Sequence, residues 1–213
     1  YKESIDSALD IVTWGDNNLY PSYLNTLISK SPIHNSIIYL KIKMISAYGL
    51  ISADWKDETL LFIKNNSGSS SDALNLEQII KRMASDLVVF GGFALNIRWN
   101  KERTRIAEIN FIPMEYLRCQ SPKSGDGFYV SNWTDKTCEK IYYPKFDIRD
   151  RSKESTIFLY KEERTTNFFY PVPEYEAAIE LLEINIKIPE YQNATLTNQF
   201  NPQLHIIYPS NAL

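Results

Sequence analysis

Apolar residues recur at three- and four-residue steps in the first part of the chain, a spacing that predicts helices. The first helix is expected from Pro21 to about Ser29, because proline suits the first turn of a helix. A second helix is expected over 32–47, with Ser31 as its N-cap. Two helices therefore follow one another with almost no connection between them.

The second predicted helix is apolar on two sides rather than one. A surface helix usually carries a single apolar stripe, so this pattern predicts burial on two faces, within the domain or against a neighbouring subunit. One stripe holds Ile33, Ile37, Leu40 and Met44, and the other holds Ile38, Ile42 and Ile45.

A third helix and a series of strands come next. Asn75 with Gln78 three residues later forms a capping box, and Gly91-Gly92 ends the helix. The period then changes to two over 93–99 and 106–112, which predicts a β-hairpin. Shorter strands are expected around 116–119, 128–133, 141–143 and 156–160. The helices and antiparallel hairpins together predict an α+β fold.

A last long helix is expected to begin at Pro173 and to be kinked or interrupted at Pro189, which removes a backbone donor. On a helical wheel, this helix has two apolar faces beside an acidic face. The first apolar face holds Tyr175, Ala178, Ile179, Leu182 and Ile186, and the second holds Ala177, Leu181, Ile184 and Ile188. The acidic stripe consists of Glu176, Glu180 and Glu183, with Glu190 in the same sector. Such a helix fits a ring of identical helices, or a position between two layers with a solvated acidic edge.

Composition excludes several classes of protein. With 23 basic and 26 acidic side chains the net charge is -3, which argues against tight wrapping of a phosphate backbone. Two cysteines are too few for a disulfide framework, and with two histidines they form no zinc pattern. No apolar segment is long enough to cross a membrane.

No pattern of residues predicts catalysis, a cofactor or a metal site. The chain has no glycine-rich phosphate loop, no nucleophile elbow and no Cys-x-x-Cys. His34 and His205 are expected to be ordinary packing residues, and Gly91-Gly92 to be a helix end more than a site of close approach. The sequence therefore predicts a protein that is not an enzyme.

Several short motifs together resemble the portal proteins of tailed bacteriophages, the ring-shaped head-tail connectors. The order and spacing of these motifs over almost the whole chain carry the resemblance. They are Trp14, Asp16, Asn17, Asn18, Tyr20 and Pro21; Gly91 and Gly92; Pro113, followed by Arg118; Tyr170, Pro171, Pro173 and Tyr175; and the run from Asn198 to Pro202.

The resemblance implies a three-part layout and a structural role in the virion. Residues 1–170 would form the wing, a mixed α/β domain; residues 171–200 the stem helix; and residues 201–213 the first strand of the clip. By this resemblance the sequence would stop short of a complete portal. It further implies a ring of about twelve subunits at the capsid vertex, assembled in the host cytoplasm. The expected partners are terminase, capsid and head-tail adaptor proteins, and double-stranded DNA that is conducted without tight binding past the acidic stripe. No cofactor and no membrane are implied.

Two other kinds of protein remain open from the residues alone. One is a protein-binding α/β module, and the other is a small enzyme whose site follows no recognisable motif. The three alternatives differ most simply in assembly, because only the portal reading requires a closed ring.

Overall fold

The computed structural model describes residues 2–47, 75–135, 139–165 and 169–197. Within these ranges it has a mixed α/β fold with four helices and antiparallel sheets. The helices are α1 (Tyr20–Lys30), α2 (Pro32–Ser46), α3 (Leu76–Phe90) and α4 (Ile179–Thr197). The strands are β1 (Glu3–Asp6), β2 (Ile11–Trp14), β3 (Gly92–Trp99), β4 (Ile106–Ile112), β5 (Leu117–Cys119), β6 (Phe128–Val130), β7 (Ile141–Tyr143) and β8 (Ser155–Lys161).

The strands form three small antiparallel sheets. β3 lies at the centre of the largest, between its hairpin partner β4 and the distant strand β8. The second sheet has the order β5-β6-β7, and the third is the β1-β2 hairpin. The predicted β3-β4 hairpin is confirmed, whereas β6 ends at Val130, three residues before the predicted end.

The β1-β2 hairpin is an element that the hydrophobic pattern did not predict. It joins two four-residue strands through a turn in which Asp10 has a positive φ of 57°. All four residues of β2 are buried, and Ile11 bridges to Gln120 next to the second sheet. The start of the described chain is thereby tied into the core.

The helix caps follow the sequence. The Asn75 side chain accepts from the Gln78 N–H and the Gln78 side chain accepts from the Asn75 N–H, which completes the predicted capping box at the start of α3. Ser31 Oγ accepts from the His34 N–H at the start of α2. Helices α1, α2 and α3 contact one another and cover a core that includes Trp14, Leu24 and Phe90.

Of the two alternatives predicted for the second apolar face of α2, the described residues do not show burial within the domain, and burial against a neighbouring subunit stays a prediction. His34 and Ile38 are buried toward α1 and α3, and Ile42 is partly buried. The other stripe is exposed, with Ile33 at 75% and Met44 at 67% of their possible surface. The strand expected within residues 201–213 lies outside the described residues.

The last helix begins later than predicted and is not interrupted. Residues 171–173 are extended, Glu176–Ala178 form a single 3-10 turn, and α4 proper begins at Ile179. It continues through Pro189 to Thr197, so the predicted alternative of an interruption does not occur, and the kink at Pro189 stays a prediction. Ile179 and Ile186 pack against the core through α1, which leaves the rest of the helix projecting from the body.

Candidate functional site at the foot of the last helix

The segment that leads into α4 is held by the side chains that carry the resemblance. Trp14 of β2 stacks on Tyr170 with ring centroids 4.5 Å apart and planes within 7°. The Tyr170 hydroxyl donates to the Val12 carbonyl and accepts from the Cys119 N–H at 2.8 Å. Burial raises the pKa of Tyr170 well above its ordinary value, so the hydroxyl stays protonated and serves as a donor. The first hairpin, the second sheet and the final segment meet at this tyrosine.

A buried guanidinium fixes the turn after β2. Arg118 is 1% exposed, and its Nε donates to Asn18 Oδ1 while Nη2 donates to the Asn18 carbonyl. Its Nη1 donates to the carbonyls of Glu115 and Leu117. The guanidinium carbon lies 5.7 Å from the Trp14 ring centroid. These carbonyl acceptors and the aromatic face compensate the cost of burying a charge, so Arg118 is a structural residue.

The turn itself uses residues with unusual backbone freedom. Gly15 and Asn18 have φ values of 86° and 61°, in the left-handed region that favours glycine and asparagine. Asn18 Oδ1 also accepts from the Trp14 N–H, and Asn17 Oδ1 accepts from the Leu19 N–H. Asp16 is exposed, while Tyr20 and Pro21 begin α1, where Pro21 is buried.

Gly91 and Gly92 combine a helix end with a close approach. Gly91 caps α3 with φ 83°, as predicted, but a Cβ at this position would lie 2.2 Å from the Val172 carbonyl oxygen. At Gly92 a Cβ would lie 2.5 Å from the Tyr160 carbonyl oxygen and 2.9 Å from the Pro171 ring. The sequence favoured a helix cap at Gly91-Gly92 over a close approach of another backbone segment, and the structure shows both.

Three contacts hold the segment just before α4 against helices α2 and α3. The Tyr175 hydroxyl donates to the Val89 carbonyl at 2.8 Å, and the His34 ring meets Tyr175 edge-on with centroids 4.5 Å apart. Lys41 pairs with Glu174 at 2.5 Å. Burial lowers the pKa of His34, and its Nε2 has no hydrogen-bond partner, which fits the packing role predicted for it. His205 lies outside the described residues.

The acidic stripe does not present one uniform face. Glu180 is exposed, whereas Glu176 and Glu183 are half-buried toward α1. Glu183 Oε1 accepts from the Tyr23 hydroxyl at 2.5 Å. Burial raises the pKa of Tyr20, and the charge of Glu176 raises it further. Two members of the stripe thus help to set the angle of α4, and Glu180 remains available to solvent.

The remaining titratable groups make no catalytic constellation in the described ranges. Cys119 is buried and desolvation raises the pKa of its thiol to about 12, which keeps it unreactive. Pro113 ends β4, and the next residue, Met114, donates its N–H to the buried carboxyl of Asp86. No group of three His, Cys, Asp or Glu side chains that could hold a metal occurs among these residues.

A cleft of about 700 Å³ opens between β8 and the 120–128 turn, and its walls are mainly aromatic and aliphatic. Lys145 and Asp126 pair across its rim at 3.6 Å. Among the described residues, none of those named for the resemblance lines this cleft. The cleft is therefore separate from the contacts of Trp14, Asn18, Arg118, Tyr170 and Tyr175 before α4, which we call the joint. None of the described helices is long and apolar enough to cross a membrane.

Solved structures with the same fold come from gene transfer agent (GTA) particles. A chain in the virion of the native particle aligns with a TM-score of 0.63 at 14% identity, over 93% of this chain and 48% of the other. A chain in the neck of the empty particle, determined with C6 symmetry, has the same TM-score and identity, over 93% and 50%. A third, in the neck of the native particle with C12 symmetry, has a TM-score of 0.61 at 14% identity, over 92% and 48%.

This chain has the fold of a GTA particle component. It spans about half the length of the chains that it matches. No protein-family model matches the sequence, and no curated protein is significantly similar to it.

Sequence alone did not identify the roles of two residues, Arg118 and Asp86. Arg118 was named only as a neighbour of Pro113, because its partner Asn18 lies 100 positions away and no local pattern marks the contact. Asp86 was not named, although an acid on the apolar side of α3 was visible as a break in the pattern.

Proposed function

We propose that this chain is the wing and stem of a portal-type protein, a structural component of a phage-like virion. The observation that carries the proposal is the shared fold over 93% of the chain with a chain of the GTA particle neck. A neck determined with C12 symmetry holds a chain of the same fold, which supports a ring of about twelve copies. In this proposal residues 1–170 are the wing, 171–200 the stem and 201–213 the start of the clip.

The structure around α4 supports the division at residue 170. The segment 171–173 packs closely against Gly91 and Gly92, and helix α4 follows it from Ile179. A helix fixed at its foot and free along one side is the arrangement that a stem in a ring needs. The motif residues Trp14, Asn18, Tyr170 and Tyr175 serve this attachment and contact no common cavity.

The proposed role is to form the channel at the capsid vertex through which DNA is packaged and ejected. Terminase, capsid and head-tail adaptor proteins would dock on the same ring. Glu180 and its neighbours in the acidic stripe would face the channel, where a negative wall lets a polyanion pass without adhering. The energy of packaging would come from a separate motor protein.

The proposal is tested by the assembly state of the complete gene product that contains this chain. We expect negative-stain electron microscopy and mass photometry to show closed rings with a central channel and a mass near twelve subunits. A product that stays monomeric or dimeric at micromolar concentration, with no ring in the images, would contradict the proposal.

A further inference from the structure

Two helices of this chain carry apolar stripes that the described structure leaves uncovered. On α2 the stripe consists of Ile33, Ile37, Leu40 and Met44, which are 51–75% exposed. On α4 it consists of Leu181, Ile184, Ile188 and Tyr191, which are 45–74% exposed. We call these the α2 stripe and the α4 stripe.

Each stripe is narrow and straight. At 3.6 residues per turn the members of the α2 stripe fall within about 60° of one another, and those of the α4 stripe within about 80°. With a rise of 1.5 Å per residue, each stripe is about 15–16 Å long. The two stripes therefore match in width and length, as two helices that pack along a shared seam require.

The charges beside the stripes are of opposite sign. Helix α2 contains Lys41 and Lys43 and no acidic residue. Helix α4 contains three glutamates and Lys187 as its one base. Exposed Lys43 flanks the α2 stripe and exposed Glu180 flanks the α4 stripe. Charges at such flanking positions select partners and orientation in helix pairs. An α2–α4 contact is favoured by charge, whereas α2–α2 and α4–α4 contacts bring like charges together.

The two stripes lie on different elements, so each α2–α4 contact joins two different surfaces. When no two-fold axis relates the two copies, such a contact is heterologous, and heterologous contacts generate rings when the rotation closes. On its inner face α4 is fastened to its own body through Ile179, Ile186 and the Tyr23–Glu183 hydrogen bond. The α4 stripe lies outside this packed face and is exposed in the described part of the chain.

We propose that the α2 stripe of one copy packs against the α4 stripe of the next copy, and that this contact joins neighbouring subunits. The inference rests on the proposed ring and names the surfaces that build it. The occupant of each stripe is a second copy of this chain, with Lys43 of one copy facing Glu180 of the other at the edge of the contact that borders the proposed channel.

Cysteine cross-linking between differently marked copies tests the pairing. One copy carries Leu40→Cys and the other carries Ile184→Cys, both with Cys138→Ser and in the complete gene product. Cys119 is buried and unreactive, so it does not interfere. Because a disulfide forms only when the two Cα atoms approach to about 4–7 Å, oxidation of the mixture should give a mixed dimer.

A matched control lies on the same helix. Tyr39 is 58% exposed, like Leu40, but points about 120° away from the stripe. Tyr39→Cys mixed with Ile184→Cys should give at least about fivefold less mixed dimer, because its Cα lies beyond disulfide range. Equal yields from Leu40→Cys and Tyr39→Cys would overturn the inference, since they would indicate random collision.

Charge exchange provides a second test. Glu180→Lys alone should reduce the yield of mixed dimer, and Lys43→Glu in the opposite copy should restore it. Loss in both single variants with no recovery in the combination would overturn the assigned register of the contact.

The other possible occupants give distinct outcomes that overturn the inference. Dominant dimers of Leu40→Cys alone or of Ile184→Cys alone would show that like stripes pair. An intrachain disulfide between Leu40→Cys and a cysteine scanned through residues 48–74 would show that the chain covers its own α2 stripe.

Assembly measured on the same samples separates this inference from the proposed function. Rings without the mixed disulfide overturn the α2–α4 contact and leave the portal proposal in place. Mixed disulfides in open chains of subunits, with no ring in the images, support the contact and contradict the portal proposal.

Discussion

At the scale of single residues, Asp86 is the group whose ionisation bears most on folding. It is buried on α3 and its Oδ2 accepts from the Met114 N–H at 2.9 Å. Desolvation raises its pKa from 3.8 to about 7, the backbone hydrogen bond lowers it, and the nearby charge of Glu115 raises it further. The folded chain therefore keeps this proton in a pH range where the unfolded chain has released it.

We expect stability to fall between pH 4 and pH 7 through this group. Below pH 4 the carboxyl is protonated in both states, and its stabilising contribution is complete. As the pH rises to about 7 the unfolded state ionises freely while the folded state resists, so the free energy of unfolding decreases. Asp86→Asn keeps a carbonyl acceptor for Met114 and removes the ionisation. At pH 8 the variant should be more stable than the parent by as much as ~4 kcal/mol, at 1.36 kcal/mol for each pKa unit.

Urea unfolding at pH 4, 6 and 8 measures this difference. Asp126→Asn is a suitable control, because that carboxylate is exposed and its pair with Lys145 is held at 3.6 Å on the surface. A parent and an Asp86→Asn variant with parallel pH profiles would contradict the assignment.

Tyr170 joins three parts of the chain through one hydroxyl group. Tyr170→Phe keeps the stack on Trp14 but leaves the buried Val12 carbonyl and Cys119 N–H without this partner. We expect a loss of about 2 kcal/mol in the free energy of unfolding, the usual cost of stranding buried polar groups. Tyr160→Phe, on a ring that is 42% exposed, should change it by less than about 0.5 kcal/mol. Equal effects of the two changes in denaturant titrations would contradict the role assigned to the Tyr170 hydroxyl.

At the scale of elements, the sequence predicted those helix ends that neighbouring residues determine. The ends of α3 follow from Asn75, Gln78 and Gly91, whose caps act within four residues, and the structure confirms them. The β1-β2 hairpin was missed because each strand has four residues and β2 is buried throughout, so no alternation reveals it. The sequence left open whether the exposed stripe of α2 is covered within the domain or by a neighbouring subunit, because periodicity reports amphipathicity and does not say which partner covers it.

The contacts that form the joint could not be predicted from local sequence patterns either. Arg118 and Asn18, or Gly91 and Val172, meet only after the sheets and helices have packed. Resemblance to a family pointed to Trp14, Asn18, Tyr170 and Tyr175 as a set, but it gave no account of what they do. The structure supplies that account as hydrogen bonds and ring contacts at the foot of α4.

Pro189 lies inside α4 and removes one backbone hydrogen bond from it. Pro189→Ala should stabilise the part of the helix after residue 189 by about 1–3 kcal/mol, because proline is the least favourable residue in a helix interior. Hydrogen exchange of residues 190–197 measures this gain as slower exchange. Asn193→Ala, in the same half of the helix, should gain no more than about 0.7 kcal/mol. A gain from Pro189→Ala no larger than that from Asn193→Ala would show that the proline does not weaken the helix.

At the scale of the whole molecule, charge is distributed in a way that fits a conduit. The net charge is -3, and the acidic stripe of α4 lies between the face packed on its own body and the α4 stripe proposed to meet the next copy. In the proposed ring both apolar faces would be covered, and the acidic sector, with Glu180 as its exposed member, would be the side left toward the channel. The proposal thus gives each face of one helix a different environment.

Removing the negative charge of the stripe should make the assembled ring adhere to DNA. Glu176→Gln, Glu180→Gln and Glu183→Gln together keep an acceptor for the Tyr23 hydroxyl and remove three charges per copy. We expect the Kd for double-stranded DNA to fall by about tenfold or more at low ionic strength, and the difference to vanish as salt screens the wall. Exchanging Glu77, Glu102 and Glu139, which are exposed and lie outside the stripe, for glutamine removes the same charge as a control. Fluorescence anisotropy at 50 mM and 500 mM salt, concentrations separated by about a threefold change in Debye length, compares the two triple variants. If both bind DNA equally well, net charge alone governs adhesion and the acidic stripe does not line the channel.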